Sequence, residues 1–286
     1  MTTNLEISFS KFHGLANDFL VIRSAGLPRA LPGLARAVCA QHTGVGADGL
    51  LVVMPPRNQR HHARVRFFNA DGSEAEMSGN GIRCAAAFLL GHRRLPSPLT
   101  IETLAGVKSV WPVKIAKGRW VFRVGMGRPI LAPRDIPFQG SKSASAVVGF
   151  PLQTSREVVP VTVTSMGNPH CTVFVDDFTA RDWRSLGREI ESHCLFPKRT
   201  NVEFVKVISR REIEVRFWER GVGETVSSGT GSCGAVVASV LNGRTDRKVR
   251  VRTPAGALEV TWEEEGEVTL TGPVARIAQG TYYYRG

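Results

Sequence analysis

Two hydrophobic patterns follow one another along the chain. Apolar and polar positions alternate at residues 65–68 and 212–218, and a period of two predicts strands, because successive strand side chains point to opposite faces. Each run leads into a polar, glycine-containing turn. An apolar segment of small residues follows each turn, at 82–90 (IRCAAAFLL) and 232–241 (SCGAVVASVL). These segments are apolar around most of a helical circumference, which predicts buried central helices. Further strands are predicted at Leu99–Thr103, 108–115, 120–124, Lys248–Thr253 and 258–262. A helix-like stretch at 34–41 and a strand-like one at 50–54 come before the first turn.

The plan occurs twice, at an offset of 150 residues. Residues 67–81 read FFNADGSEAEMSGNG and residues 217–231 read FWERGVGETVSSGTG. Without gaps, Phe67/Phe217, Glu74/Glu224, Ser78/Ser228, Gly79/Gly229 and Gly81/Gly231 are identical, and the register persists to Thr103-Leu104-Ala105-Gly106 and Thr253-Pro254-Ala255-Gly256. A fainter echo, at a slightly different offset, pairs Gly14 before 19–22 with Gly167 before 171–175. Such a repeat predicts two homologous halves. The first is residues 1–124, the second 125–274, and 275–286 is expected to pack with the first. Gly and Pro cluster at the boundary, 125–133 (GMGRPILAP), and 139–145 (QGSKSAS) reads as a loop inside the second half. The expected fold class is α+β: two pseudo-symmetric halves, each a mainly antiparallel sheet wrapped around a central buried helix, with the active-site cleft between them.

Composition narrows the function classes. At 286 residues, with 42% hydrophobic and 22% charged, the chain fits two globular domains rather than disorder, collagen or coiled coil. It has no apolar run long enough to span a membrane. Glu6, Lys11, His13 and Asp18 interrupt the start, so no signal peptide is read and a cytoplasmic location is expected. Cys39, Cys84, Cys171, Cys194 and Cys233 form no C-x-x-C pair, which argues against a zinc ribbon or a disulfide framework. The net charge of +12 suits nucleic acid or anionic small molecules. The basic residues are scattered, however, and Arg64, Arg66, Arg250 and Arg252 alternate with apolar positions as on solvent faces of strands. With no recognition-helix or RNA-binding aromatic motif, no specific nucleic-acid partner is expected.

Candidate chemistry lies at the two predicted helix starts, Ser78-Gly79-Asn80-Gly81 and Ser228-Gly229-Thr230-Gly231. A helix start offers unpaired N–H groups and about half a positive charge, and glycines allow close approach. Two such ends facing each other would cradle a carboxylate. The plainer alternative is a serine cap followed by a glycine turn. Asn69 and Glu219 each lie nine residues before their serine. The G-x-G-x-x-G run at 44–49 follows a helix and precedes a strand, the reverse of a dinucleotide fingerprint. There is no nucleophile elbow, P-loop or H-E-x-x-H. Gly167-Asn168-Pro169-His170 reads as a tight turn that places polar groups before a strand.

In combination these blocks resemble the diaminopimelate epimerase family over almost the whole chain. They run from Phe9-Ser10-Lys11-Phe12-His13-Gly14 through Asn17-Asp18, 44–49, 68–73, Gly79-Asn80-Gly81-Ile82-Arg83-Cys84, Gly167–His170, Arg199-Thr200-Asn201-Val202 and 219–233 to Thr271-Gly272-Pro273. The resemblance implies an epimerase that uses no cofactor and no metal. It would interconvert LL- and meso-2,6-diaminopimelate for lysine and cell-wall precursor synthesis, and it would act as a homodimer. By motif position, Asn17, Asn69, Asn168, His170, Asn201, Glu219 and Arg220 would contact the substrate, and the amides at Gly79-Asn80 and Gly229-Thr230 would hold its reacting carboxylate. Gly49 stands where some members have Gln, so one side-chain contact is missing.

The chain departs from the family at the catalytic positions. The family has cysteine where this sequence has Ser78 and Ser228. One thiolate removes the Cα proton and the opposite thiol returns one. A thiol, with a reference pKa of about 8.5 that a helix start lowers, can exchange acid and base roles; a serine hydroxyl scarcely ionises without a neighbouring base. Two readings remain. Either the chain is a Cys-to-Ser double variant of a diaminopimelate epimerase, disabled or strongly impaired with its binding residues intact, or it is naturally a Ser/Ser homologue that binds or racemises another amino acid.

Overall fold

The protein, described here by a computed structural model, is defined over residues 4–92, 95–141 and 145–285. It divides into two compact units: Met1–Val124 with Gly272–Gly286, and Gly125–Thr271. Of the stretch 139–145 expected as a loop, residues 142–144 lie outside the described residues; the others belong to no strand or helix.

The first unit contains β1 (Asn4–Gly14), β2 (Asn17–Arg23), α1 (Leu31–Cys39), β3 (Gly49–Met54), β4 (Ala63–Asn69), β5 (Glu74–Ala75), α2 (Gly79–His92), β6 (Leu99–Thr103), β7 (Gly106–Ala116) and β8 (Arg119–Gly127). The second contains β9 (Val147–Gln153), β10 (Val158–Ser165), β11 (Pro169–Phe174), α3 (Trp183–Glu191), β12 (Asn201–Ser209), β13 (Glu212–Glu219), β14 (Gly223–Thr225), α4 (Gly229–Leu241), β15 (Lys248–Thr253), β16 (Gly256–Trp262) and the start of β17 (Val268–Arg285). The predicted helices begin three residues earlier than the apolar pattern alone suggests, at Gly79 and Gly229. A helix N-terminus lacks the first i−4 partners, so a cap rather than a hydrophobic residue decides where it starts.

Pairing repeats the same order in each unit. In the first, β1–β2 is antiparallel, β2–β3 parallel, β3–β4 antiparallel, β4–β6 parallel, and β6–β7 and β7–β8 antiparallel. In the second, β10–β11, β11–β12, β12–β13, β13–β15, β15–β16 and β16–β17 follow in the same sense. β17 pairs with both β8 and β1, which closes the first unit into an eight-stranded barrel-like sheet. Each sheet wraps a central helix: α2 lies against β1–β4, and α4 against β10–β13, β15 and β16. The fold is therefore α+β with two pseudo-symmetric halves.

The helix sequences follow from that position. A helix surrounded by strands has no solvent face, so it needs no polar stripe. Ile82, Ala85, Ala86 and Ala87 in α2, and Ala235, Val236, Val237 and Ala238 in α4, are fully buried. Small residues let the strands come close, at interior packing density. Two bidentate ion pairs fasten the short strands that lead into these helices. Glu74 of β5 binds Arg66 at 2.6 and 2.7 Å, and Glu224 of β14 binds Arg184 at 2.6 and 2.9 Å. Asp182 caps α3 by accepting the Ser185 N–H at 3.2 Å. No described helix is long and apolar enough to cross a membrane.

Overpacking the first central helix tests this arrangement. Ala86→Leu adds three heavy atoms at a fully buried site and is expected to destabilise the protein by about 1–3 kcal/mol. Urea unfolding at constant m-value measures it.

Candidate functional site

Both serines cap their helices in the same way. The Ser78 hydroxyl accepts the Gly81 N–H at 3.1 Å, and its carbonyl accepts from Ile82 at 2.8 Å. The Ser228 hydroxyl accepts the Gly231 N–H at 3.3 Å, and its carbonyl accepts from Ser232 at 3.0 Å. Each hydroxyl thus satisfies one otherwise orphaned donor. The preceding amides, those of Gly79-Asn80 and Gly229-Thr230, have no intrahelical partner by the geometry of any helix start. The serine-cap alternative is therefore real, and it leaves two backbone donors at each helix start without an intrahelical partner.

In the first unit the cap region is braced by a polar chain. Asp48 accepts from the Asn17 side chain and the Asp18 N–H, both at 2.9 Å. Asp18 accepts the Asp48 N–H at 2.9 Å and pairs with Lys11 at 2.8 Å. The Asn80 amide donates to Asn17 at 3.2 Å. Arg83, fully buried, donates to Asn80 at 2.7 Å and to the Gly79 carbonyl at 2.9 Å. Asn17 follows Leu15 and Ala16, whose φ angles of 56° and 61° put two non-glycine residues in the left-handed region; such strain is held in place by its surroundings. Asn17, Ser78, Gly79 and Asn80 are thus brought together. Asn69 is not bonded into this cluster; it is exposed and donates to the Ser73 hydroxyl at 2.8 Å. A side chain at Gly49 would meet the Phe68 carbonyl at 2.7 Å, so the missing glutamine has no room here.

In the second unit the parallel pairing of β11 with β12 sets His170 beside Asn201, two register positions from Thr172–Glu203. His170 is wholly buried, and its Nδ1 lies 2.6 Å from Glu203, itself 1% exposed. Its Nε2 lies 3.0 Å from Asn168 Oδ1, and the Asn168 amide donates to Thr230 Oγ1 at 3.5 Å. Helix α4 passes directly over this pair. A Cβ on Gly231 would stand 2.9 Å from Glu203 Oε1, and one on Gly234 would stand 3.0 Å from the His170 side chain. Those glycines are required by the close approach. Asn201 donates to the Pro169 carbonyl at 2.9 Å and accepts the Arg220 N–H at 3.1 Å. The Arg220 side chain is exposed and donates to the Lys198 carbonyl at 3.2 Å. Glu191 holds the adjoining turn, accepting from Trp218 and from the Gly221 N–H, both at 2.8 Å.

The two helix starts differ electrically. Burial pushes the Glu219 carboxyl above the ordinary glutamate range, and hydrogen bonds from Thr225, at 2.6 Å, and Ser228 pull it partly back. Asn69 occupies the matching place before Ser78 and carries no charge. Burial likewise pushes Glu203 up, opposed by His170. Cys39, Cys84, Cys171 and Cys233 are buried; burial pushes Cys39 and Cys84 up to about 12. Among the described residues no three His, Cys, Asp or Glu side chains cluster as metal ligands.

Sequence reasoning missed Glu203, Arg83, Asp48 and Glu191. Two of these carry a signal. Glu203 is an acid inside the apolar run Val202-Glu203-Phe204-Val205, and Arg83 is the one charge in a small-residue helix. Such residues are buried only with partners.

Known proteins match this chain along almost its whole length. The diaminopimelate epimerase family profile matches residues 9–131 and 162–277. Diaminopimelate epimerase of Pelotomaculum thermopropionicum is 45% identical over 282 residues, covering 97% of this chain and 99% of that protein. That of Moorella thermoacetica is 44% identical over 280 residues, covering 96% and 98%. A hydroxyproline epimerase from Agrobacterium vitis, solved with bound trans-4-hydroxy-L-proline, shares the fold at a TM-score of 0.72 and 15% identity, with 100% of this chain and 95% of that one covered. A PhzF-family phenazine biosynthesis protein of Bacillus anthracis does so at 0.66 and 18%, with 97% and 99% covered. On the family match and these identities, the chain belongs to the diaminopimelate epimerase family of cofactor-independent amino-acid isomerases.

Proposed function

We propose that this protein binds 2,6-diaminopimelate at its two serine-capped helix starts and is strongly impaired as an epimerase because Ser78 and Ser228 stand at the proton-transfer positions. The observation that carries the reading is the intact frame around two altered atoms. Asn17, Asn80 and Arg83 form one polar network at the start of α2, and Asn168, His170 and Thr230 form another at the start of α4. Free helix-start amides at Gly79-Asn80 and Gly229-Thr230 receive the reacting carboxylate. Glu219 and Arg220 suit a substrate charged at both ends. Asn69, Asn201 and His170 complete the set carried over from the family motifs. The carbanion-like transition state is stabilised by preorganised dipoles.

Proton transfer is where the chain falls short. An epimerase takes the Cα proton from one face and returns one to the other, so both groups must alternate between acid and base. Ser228 has a carboxyl neighbour in Glu219 able to take its proton as Ser228 accepts one from Cα. Ser78 has none. One-sided transfer exchanges the Cα proton without inverting the centre.

Proton NMR with LL-2,6-diaminopimelate in deuterium oxide tests this. The expected result is perturbed ligand signals, slow deuterium incorporation at Cα, and little or no meso isomer. Ser78→Cys/Ser228→Cys is expected to raise epimerisation by at least about 10²-fold, the scale of a positioned acid–base pair. No gain in that variant, with the fold intact, contradicts the reading and favours a Ser/Ser homologue for another amino acid. The caps have a separate cost: Ser78→Ala and Ser228→Ala should each lose about 1 kcal/mol of stability, read from denaturant unfolding.

A further inference from the structure

We propose that Glu203 is a positioning residue: it holds a proton in a buried pair with His170, and that proton fixes the Asn168 amide with its NH₂ facing the start of α4. The inference rests on the reading above, in which that helix start receives an anionic substrate group.

The geometry is a chain of four groups. Glu203 Oε1 and His170 Nδ1 are 2.6 Å apart; His170 Nε2 and Asn168 Oδ1 are 3.0 Å apart; Asn168 Nδ2 and Thr230 Oγ1 are 3.5 Å apart. Asn168 Oδ1 only accepts, so Nε2 carries a hydrogen. Two proton arrangements give that: protonated Glu203 donating to a neutral imidazole, or ionised Glu203 accepting from an imidazolium. Both contain the same single shared proton, which belongs to the pair rather than to either residue. If the pair loses it, the remaining imidazole proton moves to Nδ1 to face the carboxylate. Nε2 is then bare, and Asn168 turns its NH₂ toward Nε2 and its carbonyl toward α4. A donor at the anion site becomes an acceptor.

The surroundings favour keeping the proton. Glu203 Oε2 has no hydrogen-bond partner among the described residues, which penalises the ionised form. Burial raises the Glu203 carboxyl, and the Glu219 charge on β13 adds to it. The other groups facing the pair are neutral: Thr164 opposite His170 on β10, Asn201 on β12, the Cys171 thiol, which is pushed well up by burial, and helix α4, which has no charged residue. The sign follows. A carboxyl held above its ordinary range keeps its proton where a free glutamate has lost it and gives it up as pH rises, so substrate binding weakens on the alkaline side.

The test uses the full chain with ¹⁵N-labelled histidine, the His170 signals being assigned by their loss in His170→Asn. The expected result is a protonated Nε2 at neutral pH that loses its proton to Nδ1 as pH rises. Calorimetric titration with LL-2,6-diaminopimelate should show affinity falling about tenfold across the same rise, the size of one hydrogen bond to a charged group. Glu203→Gln, whose amide donates permanently to Nδ1, should retain neutral-pH affinity within about twofold and abolish the alkaline fall. Glu203→Leu should lose about tenfold at every pH. A bare Nε2 in the unaltered protein at neutral pH, or an alkaline fall unchanged in Glu203→Gln, overturns the inference. A merely structural Glu203 would make Gln and Leu behave alike. If no form binds diaminopimelate at any pH, the substrate reading fails, and the imidazole signals still decide the role of Glu203. If Glu203→Gln does not fold, the titration of His170 in the unaltered protein decides it alone.

Discussion

A helix buried on every side must begin somewhere, and its first N–H groups cannot be left without partners. That constraint organises both halves of this protein. A serine closes part of each helix start, glycines let the helix settle onto the sheet, and the remaining amides stay available to an anion. At α4 the settling is closest. Gly231 and Gly234 leave room for Glu203 and His170, and any larger residue there would collide with them. The same small-residue packing that stabilises the core thus sets the helix start directly above a buried acid and imidazole.

The halves share a plan and differ in chemistry. In the first, neutral amides and a buried arginine brace the helix start; Lys11 pairs with Asp18, and Asp48 accepts from Asn17 and the Asp18 N–H. In the second, two glutamates with raised carboxyls flank it. Duplication fixed the strand order and the cap, while the side chains that tune protons diverged. With thiols at 78 and 228 the difference would matter less, because a thiol ionises near neutrality. With serines it matters more, because among the described residues the Ser228 hydroxyl is hydrogen-bonded to a carboxyl, Glu219, and the Ser78 hydroxyl only to the Gly81 N–H.

Much of this was legible in the chain. The repeat at an offset of 150 residues exposed the pseudo-symmetry, because strand, turn and buried helix demand the same residue types in the same order. Leu99–Thr103 and Lys248–Thr253 were readable to the residue, since apolar and polar residues alternate along them. The helix starts were read late, because Gly-Asn-Gly and Gly-Thr-Gly resemble turns until the cap is seen. Helix α3 escaped notice: its sequence is polar on average, and its cap, Asp182, is one acid among many. Of the candidate site, the serines, Asn80 and Thr230 are legible from the repeated helix starts, and Asn17 and Asn168 from motif position. Glu203 was not, because only the parallel register of β11 with β12 brings it to His170, across more than thirty residues of sequence.

The central claim is that the starts of α2 and α4 both serve one dianionic, dicationic amino-acid substrate. The most direct measurement is an amide ¹H–¹⁵N titration of the full chain with LL-2,6-diaminopimelate, following Gly79, Asn80, Gly229 and Thr230. The account predicts that all four signals move together along one saturating curve. Movement at only one helix start, or at neither while the ligand binds elsewhere, would contradict it.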